Sequence, residues 1–195
     1  SQQNYTDALE TFINIDENSK FYEAAQFHSL QIYDCLQYRT QAVELGKKLV
    51  KQFPKSKYSS EAYRILGENS YFQQNWHDAV EFLKLYAKNQ KQVQRADMYM
   101  LGIANYMVAN YPDAITYLGK VTTEQDTLAQ NAYIFIGHAN LQQHQADKAR
   151  MAFQNASLIN ADSRLKEESL YNYALATYES KAPFGETIKA FDRFI

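Results

Sequence analysis

A glycine that closes an apolar helical stretch recurs at Gly67, Gly102 and Gly137, and an alanine that opens the next stretch recurs at Ala79, Ala114 and Ala149. Both series step by 35 residues, and the offset between them stays at 12. Two markers keeping one period identify a supersecondary unit copied in tandem. A unit of this length cannot bury its apolar face alone, so each copy must stack on its neighbours. That constraint settles the architecture and removes most enzyme classes.

The copied unit is helical. With 6 Gly and 3 Pro in 195 residues, 46% of them hydrophobic, the chain has too few turn formers and alternating stretches for an all-β fold. The longest apolar stretches, such as 98–108, are interrupted by Gly102 and Asn105. They fall short of the roughly 18 residues a membrane span needs, so no span is expected. The 20 Lys and Arg are scattered against 22 Asp and Glu, which leaves no phosphate-binding stripe and makes nucleic acid an unexpected partner. Cys35 is the single cysteine; on a helix with Leu30, Tyr33 and Leu36 it is expected to be a buried or half-buried structural thiol.

Each repeat reads as two amphipathic helices of about a dozen residues joined by a short polar turn, such as 73–75 or 142–145. The pattern is Leu66-Gly67, then Trp76-His77-Asp78-Ala79 and Leu83; Leu101-Gly102, then Tyr111-Pro112-Asp113-Ala114 and Leu118; Ile136-Gly137, then Ala146-Asp147-Lys148-Ala149 and Phe153. It resembles the tetratricopeptide repeat (TPR) family over essentially the whole chain. The resemblance implies an all-α, right-handed superhelix of tandem helix pairs, an α-α solenoid. The small residues are expected where two helices nearly touch.

A half repeat spans 4–18, with Ala8 in the register of a second helix. Repeats follow over about 22–55, 59–91, 94–125, 129–161 and 166–195. The first is irregular, with Leu30 in the glycine place; the last has Ala174 there, with an insertion carried by the turn at 182–184. No internal domain boundary is expected. Neither end supplies the polar outer face of a terminal repeat, so the chain reads as a piece of a longer array, expected to associate end to end through its uncovered ends. The opening Ser1-Gln2-Gln3-Asn4 is neither a basic and apolar leader nor an initiator Met, which implies a removed signal or a cut-out segment. The Pro54-Lys55-Ser56 linker before Glu61-Ala62-Tyr63-Arg64-Ile65-Leu66-Gly67 resembles TPR arrays of bacterial envelope proteins, the Tol-Pal coordinator and outer-membrane-assembly lipoproteins. That resemblance implies a periplasmic location or the periplasmic face of the outer membrane; the alternative is cytoplasmic.

Catalysis needs a constellation, and none is evident. His28, His77, His138 and His144 are spread over three repeats without a spacing suited to a helical metal site, and the glycines stand singly rather than in a phosphate loop. No catalytic residue, metal or cofactor is expected. Binding is the better reading. Family first helices line a concave surface, and positions roughly 100° around the helix from its packed stripe would face a peptide. Those positions are Arg64, Glu68 and Tyr71; Tyr99, Ile103 and Tyr106; Ile134, His138 and Leu141; Tyr171, Leu175 and Tyr178. Arg64 is the one cation among them, which argues against a carboxylate clamp and for an apolar or aromatic peptide. Tyr71, Tyr106 and Tyr178 have a second reading, as seals between neighbouring helices.

The expected function is a non-enzymatic scaffold binding a partner polypeptide. The alternatives are a regulatory sensor array of a cytoplasmic signalling or transcription protein, and a purely structural oligomerising array.

Overall fold

The computed structural model describes residues 2–180 and 183–194, with side chains from residue 4 onward and excepting residue 184. Among these residues the chain is all α: α1 (Gln2–Ile13), α2 (Tyr22–Cys35), α3 (Arg39–Gln52), α4 (Ser59–Phe72), α5 (Trp76–Lys88), α6 (Arg95–Met107), α7 (Tyr111–Gly119), α8 (Thr127–Gln142), α9 (Ala146–Leu158), α10 (Ser163–Glu179) and α11 (Phe184–Asp192). The turn expected to carry the last repeat's insertion begins at Ala182, which lies outside the described residues.

Contacts fall into two compact units, Ser1–Val93 and Gln94–Ile195. In the first, α2 packs on α3, α3 on α4, α4 on α5, and α2 also touches α4. In the second, the pairs α6–α7, α8–α9 and α10–α11 each pack together, and α8 touches both α6 and α10. Within each unit a first helix therefore meets its own second helix and the neighbouring first helices of that unit. Each unit has its own core: Leu30, Ala42, Leu49, Ala62 and Ile65 in one, and Ile134, Ala149, Phe153, Ala156 and Ala176 in the other.

The recurring small residues sit at helix contacts. A Cβ placed on Gly102 would lie 2.6 Å from Leu118 Cγ and 3.2 Å from its backbone nitrogen; one placed on Gly137 would lie 2.5 Å from the Phe153 ring. Backbone-to-side-chain contact this close excludes any larger residue without displacing the partner helix. Ala79, Ala114 and Ala149 are fully buried on the opposing helices.

In the first repeat the sizes are exchanged. Leu30 stands on the first helix, and Gly46, sixteen residues on, takes the place held by Leu83, Leu118 and Phe153. The close approach moves with the glycine: its Cβ would meet the Leu66 side chain of α4 at 2.7 Å.

Four turns share a backbone device. Gln37, Gln74, Ala109 and His144 adopt φ of 58°, 59°, 59° and 57°, the left-handed region, just beyond the first helix of each pair. The next residue donates its N–H to a carbonyl five back, as in Asn110 to Asn105 and Gln145 to Asn140, both 2.9 Å. This closes the helix end in the Schellman manner without glycine.

Cys35 departs from its expected burial and is exposed. It lies in the last turn of α2, on the side that lines the cleft between α1 and α2.

Candidate functional site

The first helices carry the residues expected to face a ligand, and their surroundings sort them. On α4 of the first unit, the Arg64 guanidinium donates to Glu61 at 2.8 Å and to Glu68 at 2.6 Å. The cation is thus engaged by carboxylates of its own helix at i−3 and i+4. Tyr71, a turn further on, packs edge-on against Trp76 at 5.4 Å and Phe72 at 5.6 Å between ring centroids. Burial raises its phenol above the usual range. It seals the α4–α5 turn.

In the second unit, Ile103 on α6 is 5% exposed and Ile134 on α8 is 2% exposed, so both lie in the core rather than on an open face. The reason is the double packing of a first helix: α8 packs on both α9 and α10, and Ile134 belongs to the buried cluster that Ala149, Phe153 and Ala156 of α9 form with Ala176 of α10. An angle measured from the glycine stripe accounts for one neighbour only. Leu141 is half-buried on the same cluster.

Tyr106 packs on Phe135 of α8 at 5.2 Å and on Tyr111 at 5.6 Å, bridging consecutive first helices. Burial again raises its phenol, with Tyr111 adding to the shift. Tyr99 is half-buried on the same helix. His138 turns toward its partner helix, its ring 5.2 Å from that of Phe153 in an edge-to-face arrangement. Burial pushes its imidazole below the usual range, against a smaller opposing pull from the Glu168 carboxylate.

What stays open is on α10. Tyr171 is 44% exposed and Tyr178 is 70% exposed, with half-buried Leu175 between them. Their i, i+4, i+7 spacing puts them on one helical stripe. The Tyr171 ring rests 5.3 Å from that of Phe194, which fixes one end of the stripe. Exposed Glu167, Glu168 and Glu179 stand on the same helix. Tyrosine offers large contact area at low rotamer cost together with a hydroxyl, a chemistry suited to a polypeptide ligand.

The cleft between α1 and α2, walled by Tyr5, Ala8, Phe12, His28, Ile32 and Cys35, lies at the half repeat whose apolar side the sequence leaves uncovered. Its signal was present in the register of Ala8. Among the described residues no three His, Cys, Asp or Glu side chains gather to hold a metal ion, and no helix is long and apolar enough to cross a membrane.

No protein-family model and no curated protein sequence matches the chain. Solved structures do. The fold is similar to that of YrrB, described as a TPR protein with an unusual peptide-binding site, at TM-score 0.74 and 15% identity over 100% of this chain and 92% of that one. It is similar to MamA at TM-score 0.70 and 20% identity, covering 90% of this chain and 91% of that one. It is similar to BtubC from P. vanneervenii at TM-score 0.62 and 12% identity, covering 99% and 87%. The chain thus has the fold of TPR proteins.

Proposed function

We propose that the protein is a non-enzymatic scaffold that binds a partner polypeptide through its first helices, with the stripe Tyr171, Leu175 and Tyr178 of α10 as the main contact. The observation that carries this reading is the exposure of two tyrosines, 44% and 70%, on one stripe of a single first helix. The fold likeness to YrrB, a TPR protein with an unusual peptide-binding site, supports the ligand class. Tyr99, Tyr106 and Leu141 extend the contact on α6 and α8. Ile103, Ile134 and His138 act behind it as support, and Arg64, Glu68 and Tyr71 belong to the other unit's face. A periplasmic setting, expected from the linker at 54–56, is part of the same proposal, and cell fractionation of the native protein tests it.

The experiment is selection from a displayed random-peptide library on the wild-type chain, followed by titration of the enriched peptide. Tyr171→Ala with Tyr178→Ala should weaken binding by about tenfold or more, as truncation of aromatic anchors does, while circular dichroism stays unchanged. Affinity should change little with salt, because no ion pair dominates the stripe. Equal binding by the folded double variant overturns the assignment.

A further inference from the structure

Polar contacts recur at one register, where the start of a first helix meets the linker that leads into the next helix pair. The helix residue stands seven before the glycine place, at Glu23, Ser60, Arg95 and Gln130. In the first unit the Gln90 amide donates to Ser60 Oγ at 2.8 Å. In the second, Arg95 donates to both carboxylate oxygens of Asp126, at 2.8 and 3.0 Å, and Gln130 accepts from the Asp162 N–H at 3.0 Å. Glu124 brings a further carboxylate to Arg95 at 2.8 Å. There the linker 120–126 supplies its own acids to the cation of the helix.

The contact at Glu23 has the opposite polarity and leaves cations over. Glu23 accepts from the Ser56 hydroxyl of the linker 53–58. Lys55 and Lys57 flank Ser56, and Lys20 enters from the segment before α2. The run 47–57 holds five of the chain's 20 Lys and Arg and no acid. Lys47 and Lys48 are engaged by Asp78 and Glu17. No carboxylate of the described residues pairs with Lys20, Lys55 or Lys57, and Glu61, in the first turn of α4, is held by Arg64. α2 and α4 both begin here without a side chain capping the first turn, so two positive helix ends add to the lysines.

The three lysines rim a cavity of about 740 Å³ whose apolar walls are Phe21, Phe53 and Tyr58. That size is within the range of ligand sites. Tyr58 stacks on Phe27 at 4.4 Å, and Phe53 packs on the same core, so this floor is fixed to the body of the first unit. Phe21 is 60% exposed, and the Lys20 ammonium lies 5.0 Å from its ring; the Lys57 ammonium lies 4.9 Å from that of Tyr58. One phosphate or carboxylate would leave most of this volume and the aromatic floor unused. The chain's own answer to a cation at this register is a stretch of polypeptide bearing two acids, Glu124 and Asp126.

We infer that the cavity between α2 and the linker 53–58 binds an acidic segment of a partner polypeptide that carries an aromatic side chain. Its carboxylates meet Lys20, Lys55 and Lys57, and its ring lies against Phe21 and Tyr58. The site belongs to the first unit and does not rest on the reading of the α10 stripe.

The probe is a fluorescent, end-blocked peptide Glu-Asp-Phe-Glu-Asp, its anisotropy followed on titration with the full chain. Saturable binding is expected that weakens as salt rises, unlike binding at the α10 stripe. Replacing the acids of the peptide by Gln and Asn, or its Phe by Ala, should weaken it. On the protein, Lys55→Gln with Lys57→Gln should weaken it about fivefold or more, and Phe21→Ala should weaken it as well, with circular dichroism unchanged. Lys91→Gln, at an exposed lysine of the next linker, and Tyr178→Ala should leave it unchanged. Absence of saturable binding, full binding of the amide peptide, or an equal loss with Lys91→Gln overturns the proposal. So does displacement of the peptide by an equal concentration of inorganic phosphate, which would reduce the cavity to a small-anion site. A single-stranded pentanucleotide that binds as tightly and loses the same factor with the lysine pair would make the occupant nucleic acid. Sedimentation showing a dimer that the lysine pair variant disperses would make it a second copy; either result overturns the assignment.

Discussion

Gly102 shows how one missing methyl sets a helix separation. Its Cβ would fall 2.6 Å from Leu118 Cγ, close to the branch point rather than to a mobile chain end. Gly102→Ala is expected to cost about 1–3 kcal/mol despite the gain in helix propensity, and Gly102→Leu more, read as lowered melting temperatures. Gly102→Ala with Leu118→Ala should lose less than the sum of the two single losses, because the second change removes the atoms the first collides with. Strict additivity would place the contact elsewhere. His138 is a second sensitive residue. Its imidazole titrates below the usual value of about 6.5, so between that value and its lower native one the unfolded chain binds the proton and the folded chain does not. Stability should therefore fall as pH drops from about 6.5. His138→Phe should flatten that part of the profile in melts taken at stepped pH.

At the scale of elements, the ends of helices decide where each pair turns. Asp126 caps α8 by accepting from the Ala129 N–H at 2.8 Å and binds Arg95 of α6 through both carboxylate oxygens, at 2.8 and 3.0 Å. Arg95 first, then the cap, holds the Asp126 carboxyl down to about 2. The stabilisation it gives is present above the unfolded value of about 3.9 and is lost as pH falls toward the native one. Asp126→Ala should cost about 1 kcal/mol at neutral pH, measured by denaturant titration, and Asp126→Asn less, since an amide still caps. The helix pairs were legible because a small residue recurring at a fixed step is a periodic signal that one sequence carries by itself. The left-handed turns at Gln37, Gln74, Ala109 and His144 were not, since their residue types lack the glycine that normally announces them. The exposed positions of the first helices were only partly legible. Tyr171 and Tyr178 are open as the helical angle implies, whereas Ile103 and Ile134 are buried, because angles on one helix do not register how many helices pack around it.

At the scale of the molecule, the two units each enclose a core of residues close in sequence. Short-range contacts need little loop closure before they stabilise, so residues 94–195 made alone are expected to be helical and to melt cooperatively. A flat, uncooperative thermal trace would refute this. The exchange of Leu30 and Gly46 bears on a different matter, where the gene can be cut and rejoined. Deleting residues 103–137 fuses Gly102 to His138 and leaves the glycine sixteen residues before Phe153, so the joint keeps small against large. Deleting residues 31–67 instead fuses Leu30 to Glu68 and sets Leu30 sixteen residues before Leu83, large against large. The first splice should yield a shorter folded chain by circular dichroism, and the second should not. The inverted pair thus acts as a punctuation mark that makes the first repeat a poor substitute for its neighbours and limits which recombinants of this chain survive.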